Sequence, residues 1–179
     1  EVTKNILPDQ KLDCVAYGCT SGTIAIGENI IKNQVHKSKP EAAVTTPITA
    51  ALKAFNKLNL KKIAVLTPYP KEVNLTVYNY LKQNNLEIDS FNSFNLNYDS
   101  EIAQVSLDSL MNQISKINLS QVEGLFVSCT ALKIVDIIDK VENEFNTKVI
   151  SSNQAIIWDC LRILKIDNDI IGYGNLFNF

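Results

Sequence analysis

Two Cys-Thr steps, Cys19-Thr20 and Cys129-Thr130, each come after a short apolar run that ends in a small residue. The runs, Leu12–Gly18 and Gly124–Ser128, read as buried strands, and the stretch after each step reads as an amphipathic helix. A cysteine at the C-terminal end of a strand, opening a helix, lies in the crevice where open α/β sheets bind ligands. It also lies beside unpaired N–H groups and the positive end of a helix dipole. Both favour the thiolate, the reactive form, and the same N–H groups can hold a carboxylate without any arginine. Thr20, Ser21 and Thr130 add hydroxyls at the same spot. The pattern predicts a nucleophile or base beside an anion cradle, in two copies. One such cysteine reads equally well as a small buried hydrophobe; two in matching contexts favour chemistry.

Cys14, inside the first strand, and Cys160, in mid-helix beside Trp158, read instead as inert core. In Thr67-Pro68-Tyr69-Pro70, two prolines restrict the backbone around Tyr69. Its phenol could donate to a carboxylate or a developing enolate, although an ordinary turn with a packed aromatic explains the run as well. Asn74, one turn into the next helix, Lys71, and Asp99 in the polar run 92–100 are weaker candidates. Ser151-Ser152-Asn153-Gln154 reads first as a helix cap, with Asn153 a weaker candidate for substrate contact. The sole histidine, His36, stands among lysines and reads as a solvated surface residue. A single histidine disfavours Ser-His-Asp and Cys-His hydrolases, and with no Cys-x-x-Cys pair a zinc site has too few ligands.

The elements that must position these residues alternate along 179 residues with a net charge of −2 and 46% hydrophobic residues. Strands are read at Leu12–Gly18, Ala42–Thr45, Lys62–Thr67, Glu87–Phe94, Gly124–Ser128 and Lys148–Ile150. Helices are read at about 21–35, 47–58, 71–84, 100–117, 131–145 and 153–164. This alternation argues an α/β domain around mostly parallel sheets. The echo of the two Cys-Thr steps suggests two similar halves facing across a cleft, residues 1–66 with 151–179 and residues 67–150. The first half lacks the strand and helix that should open it, and these are expected upstream of Glu1. No basic patch points to nucleic acid, no apolar run approaches the ~20 residues of a membrane span, and no basic-then-apolar stretch reads as a secretion signal. A cytoplasmic protein is expected, with its four cysteines as thiols.

Taken together, Gly18-Cys-Thr-Ser-Gly22, Thr67-Pro-Tyr-Pro70, Val127-Ser-Cys-Thr130 and Ser151-Ser-Asn-Gln154 resemble the aspartate/glutamate racemase superfamily. The likeness is closest to its branch of maleate cis-trans isomerases, arylmalonate decarboxylases and proteins of ectoine breakdown, and it runs from about Leu12 to Phe179. The resemblance implies two pseudo-symmetric Rossmann-like halves with the active site between them, and no metal or organic cofactor. It implies that Cys19 attacks and Cys129 handles a proton, with Thr20, Ser21, Tyr69 and Thr130 holding carboxylates. Decarboxylases of the branch keep only the cysteine matching Cys129, so Cys19 favours isomerase or racemase chemistry. The resemblance also implies an asparagine-bearing loop upstream of Glu1. It implies a further asparagine at Asn97–Glu101, where the nearest match is Asp99. The expected partners are a small carboxylate or dicarboxylate substrate and further copies of this chain, as a homodimer or higher oligomer. Decarboxylation of a malonate-type acid and a non-catalytic acid-binding role stay open as alternatives.

Overall fold

The run Ile63-Ala64-Val65-Leu66 offers water no polar side, and it lies fully buried inside a parallel sheet, as such runs do when helices cover both faces. The computed structural model describes residues 2–167 and 170–179. In chain order the elements are α1 (Val2–Asn5), β1 (Cys14–Ala16), α2 (Thr20–Ile26), α3 (Glu28–His36) and β2 (Ala43–Thr45). Then come α4 (Pro47–Lys57), β3 (Lys62–Thr67), α5 (Lys71–Gln83), β4 (Glu87–Ser93), α6 (Asp99–Ile102) and α7 (Leu107–Ile114). The chain continues with β5 (Gly124–Val127), α8 (Ile138–Phe145), β6 (Lys148–Ser151) and α9 (Ser152–Ile163).

The architecture is α/β, with two parallel sheets: a two-stranded pair β1-β2 and a four-stranded sheet in the order β4-β3-β5-β6. Phe55 of α4 meets Phe126 of β5 edge to face, ring centroids 5.3 Å apart, which seats α4 on the larger sheet. The other side of α4 packs against α9, which also reaches β1 and β2. A buried Asp159 on α9 fastens this layer by accepting hydrogen bonds from Thr45 and, at 2.7 Å, from Lys53. Strand β3 pairs with β4 and β5 in the larger sheet, and the expected boundary at 66/67 falls at its last residue pair.

Strand order decides where a ligand would lie. From β3 the chain moves outward to β4, then returns to β5 on the other side of β3 and continues to β6. The order therefore reverses between β3 and β5, and open α/β sheets form their crevice at the carboxyl ends of such strands. The loops leaving those two ends are Pro68-Tyr69-Pro70 and Ser128-Cys129-Thr130.

Three expected helices differ in outline. The helix read over 21–35 is two, broken at Gly27, whose φ of 94° belongs to glycine and interrupts the ladder. The helix read over 100–117 is also two, α6 and α7, with Ser106 capping the second through the Ser109 amide. The helix read from Ala131 begins only at Ile138, after a 3₁₀ turn at Val135–Ile137. This last difference changes the surroundings of Cys129.

Candidate active site

Cys19 occupies the position the sequence predicts. It is the N-cap of α2, with extended backbone, and its Sγ accepts the Gly22 amide at 3.3 Å. Residue 22 must be glycine for that seat to exist, because a Cβ there would fall 2.8 Å from the Cys19 sulfur and 3.0 Å from the Tyr17 hydroxyl. The cysteine is half-buried.

Cys129 differs from expectation. It does not open a helix but sits in the loop after β5 with φ of 104°, a left-handed conformation rarely adopted by a side-chain-bearing residue. Such strain costs of order 1–3 kcal/mol and persists only where the surroundings over-determine it. Two contacts do so here: the Cys129 amide donates to Ser152 Oγ at 3.0 Å, and its Sγ accepts the Ala131 amide at 3.4 Å. The donors around this sulfur are therefore loop amides rather than a helix N-terminus. Burial pushes the Cys129 thiol up from its ordinary value and the Asp99 charge adds to that, against the Ala131 amide, Tyr69 and the Leu132 amide.

The two Cys-Thr steps are brought against each other, although no sequence-local feature ties them. Thr20, next to Cys19, donates its hydroxyl at 2.9 Å to Ser152 Oγ, the same oxygen that accepts the Cys129 amide. Thr130, next to Cys129, donates its hydroxyl at 2.9 Å to the carbonyl of Gly18, on the other side of Cys19. Both neighbours of Cys19 are thus bonded to the Cys129 loop or to its anchor. Tyr69 completes the group: it is buried, and its phenol is pushed up by burial and by Cys129, with Ser128 and Thr20 opposing.

The remaining candidates divide into supports and neighbours. Asn74 donates to the Tyr69 carbonyl at 2.7 Å and accepts from Thr67 Oγ1, and Ser93 Oγ adds a second bond to that carbonyl at 2.6 Å, so the proline-bracketed turn is clamped from both sides. Asn153 donates to the carbonyls of Thr130 and Leu132 at 2.9 and 3.4 Å, which shapes the loop behind Cys129. Asp99 is exposed at the start of α6 and reaches Cys129 only through its charge. Ser21 faces a groove of about 350 Å³ against Glu72, Val73 and Thr76 of α5. A larger cavity of about 730 Å³ lies between residues 4–12 and 37–42 and holds none of the candidates, so its size says nothing about the chemistry.

Ser152 was not among the residues that the sequence singled out, yet its oxygen joins the two Cys-Thr steps. Its signal was the serine pair at a helix start: Ser151 alone completes the capping box with Gln154, so the hydroxyl of Ser152 is surplus to the cap. The structure also pairs the two cysteines expected to be inert core, with Cys14 and Cys160 sulfurs 3.9 Å apart and Cys160 pushed up to about 12 chiefly by burial. All four cysteines are free thiols. Among the described residues no group of three or more His, Cys, Asp or Glu could hold a metal ion, and no helix is long and apolar enough to cross a membrane.

Comparison with known proteins shows the family and the fold of this chain. The sequence profile of the arylmalonate decarboxylase family matches residues 26–177, a span that includes Tyr69 and Cys129 and begins after Cys19. A maleate isomerase of Alcaligenes faecalis is 19% identical over 180 residues, 96% of this chain and 71% of that protein. An arylmalonate decarboxylase of Bordetella bronchiseptica is 27% identical over 137 residues, 75% of this chain and 57% of that protein. Among solved structures, a Nocardia farcinica maleate cis-trans isomerase aligns with a TM-score of 0.87 and 20% identity, covering 92% of this chain and 71% of that one. That structure is of a cysteine-to-serine variant with a covalently bound succinylcysteine intermediate.

Proposed function

Because the chain belongs to the arylmalonate decarboxylase family, we propose that it is a cofactor-independent isomerase of a small dicarboxylate, working through Cys19 and Cys129. The observation that carries this reading is the pair of cross-links, Thr20 to Ser152 to the Cys129 amide and Thr130 to Gly18, which hold the two thiols' backbones at one site. Maleate isomerases among the relatives, and the succinylcysteine captured in one of them, suggest the substrate class and the type of intermediate.

In this reading Cys19, as its thiolate, adds to one carbon of a cis double bond, the C–S bond forming as the π bond breaks, and the Cys129 thiol gives its proton to the other carbon. The former double bond is now single and turns. The Cys129 thiolate then takes the proton back and the Cys19 sulfur leaves, releasing the trans acid. Burial suits Cys129 to this cycle, because a thiol held above its ordinary value keeps its proton until the adduct forms and recovers it readily afterwards. Tyr69 stays a neutral phenol for the same reason and can donate to the developing charge. The carboxylates fall to the hydroxyls of Ser21 and Tyr69, in a cradle lined by Thr20 and Thr130. The hydroxyl hydrogens of the two threonines are already given to Ser152 and Gly18, so their role is to shape the cradle more than to donate.

The test is to incubate the protein with maleate, with D- and L-aspartate and with D- and L-glutamate, following fumarate formation and loss of optical rotation. Turnover of maleate that vanishes in both Cys19→Ser and Cys129→Ser is the expected result, and full turnover in either variant refutes the two-cysteine mechanism. A second reading, decarboxylation of a malonate-type acid, is favoured by the relative from Bordetella bronchiseptica, and in that reading Cys129 acts without Cys19. It would appear as carbon dioxide release that survives Cys19→Ser.

A further inference from the structure

Ser152 sits at a joint. The chain leaves β6 of the four-stranded sheet at Ser151 and enters α9, which packs on α4, β1 and β2. Its side chain is fully buried, yet the helix does not need it as a cap, because Ser151 and Gln154 satisfy each other's backbone amides. Its oxygen instead accepts two hydrogen bonds, from Thr20 Oγ1 at 2.9 Å and from the Cys129 amide at 3.0 Å. The two donors come just after strands of different sheets, Thr20 after β1 and Cys129 after β5. A hydroxyl is a poor choice for mere packing at such a place, since a buried polar atom left unpaired costs about 1–3 kcal/mol.

We propose that Ser152 is a positioning residue that holds Cys129 in its left-handed conformation and sets its sulfur against the Cys19-Thr20 step. This deepens the two-cysteine reading and rests on it for its effect on turnover. The backbone of Cys129 at φ of 104° needs an external restraint, and the Ser152 oxygen is the acceptor of its amide. Released from it, Cys129 relaxes toward ordinary φ, its sulfur leaves the Ala131 amide and Tyr69, and it becomes more accessible. Thr20 loses its partner in the same event, while the Cys19 sulfur keeps its own seat on the Gly22 amide.

The decisive experiment compares wild type with Ser152→Ala in two readouts. The first is alkylation by iodoacetamide across a pH series, resolved at Cys19 and Cys129 by peptide mass spectrometry. In the variant Cys129 is expected to alkylate about ten-fold faster near neutral pH, its profile shifting toward that of an ordinary thiol near 8.5, while Cys19 changes little. The second is steady-state kinetics with maleate, where kcat is expected to fall about 10²-fold, the effect of moving a reacting group by ~1 Å, with KM nearly unchanged. A folded variant whose Cys129 alkylates with the wild-type rate and pH profile overturns the proposal. The alkylation arm needs no turnover, so it decides the role of Ser152 even if maleate is not a substrate. If Ser152→Ala does not fold, amide exchange in the wild-type protein decides instead. A Cys129 amide protected far beyond those of exposed loop residues supports the restraint, and one that exchanges as fast as they do overturns it.

Discussion

Replacing Gly22 with alanine should separate chemistry from stability at the Cys19 end of the site. The added methyl would stand 2.8 Å from Cys19 Sγ and 3.0 Å from Tyr17 Oη. Ordinary contact for such atoms is about 3.5–4.0 Å, so the sulfur must recede by roughly 1 Å or swing to another rotamer, and it leaves the Gly22 amide either way. The stability change is small, because two contributions oppose each other. Alanine is favoured over glycine within a helix by about 0.5–1 kcal/mol, and an off-rotamer cysteine costs about 0.5–1.5 kcal/mol. The melting temperature should therefore stay within about 4 °C of wild type, since 1 kcal/mol moves a domain of this size by about 2–4 °C. Turnover should fall about 10²-fold, the order of loss for a reacting atom displaced by ~1 Å. The assay is kcat/KM for whichever acid the wild type accepts, with Cys19 alkylation and thermal unfolding measured on the same preparations. A Gly22→Ala protein that melts normally and keeps both its turnover and its Cys19 alkylation rate would refute the placement of Cys19 as the attacking group.

Two other side chains carry expectations of their own. Asn74→Ala removes the group that grips Thr67 and the Tyr69 carbonyl; urea unfolding should show a loss of about 1–2 kcal/mol, with KM rising more than kcat falls because Tyr69 loosens. Glu142 is buried and accepts the Val149 and Asn175 amides at 2.9 and 2.8 Å, and burial raises its carboxyl despite those bonds. A carboxyl raised in the folded state binds more protons there than in the unfolded chain. Its contribution is therefore complete below the ordinary value near 4.3 and is lost as pH rises through the folded value. Glu142→Gln should then weaken the protein by a constant offset but lose less stability than wild type as pH rises from about 4.5; identical slopes in urea unfolding against pH would contradict the assignment.

The local parts of this protein are plain from its residues. The apolar runs at β3, β5 and β6 appear within a residue of their expected limits, because a strand covered on both faces leaves a near-continuous hydrophobic signature; the edge strands β2 and β4 also lie within a residue of expectation. Helix α4 is equally legible, with Thr46 as its cap and Pro47 opening its first turn. Helix interruptions were not legible. Gly27 inside an amphipathic pattern costs a helix only about 1 kcal/mol, and whether it breaks the helix depends on what packs on either side. The loop at 129–134 carries residues that suit a helix well enough, but Asn153 takes the Thr130 and Leu132 carbonyls and holds the backbone in another course.

The same division runs through the site. Residue types and their spacing by themselves determined the candidates, two thiols with hydroxyls and amides at strand ends, because the ability of a group to attack, donate or accept is a property of the side chain and its immediate turn. Only the tertiary structure decided that the two Cys-Thr steps meet, that Thr20 and Thr130 give their hydrogens to Ser152 and Gly18, and that Cys129 is strained in a loop instead of opening a helix. Those bonds join residues 132 and 112 positions apart. No local pattern carries such a contact; it exists because strand order brings β3 and β5 together and sends α9 back across to β1 and β2.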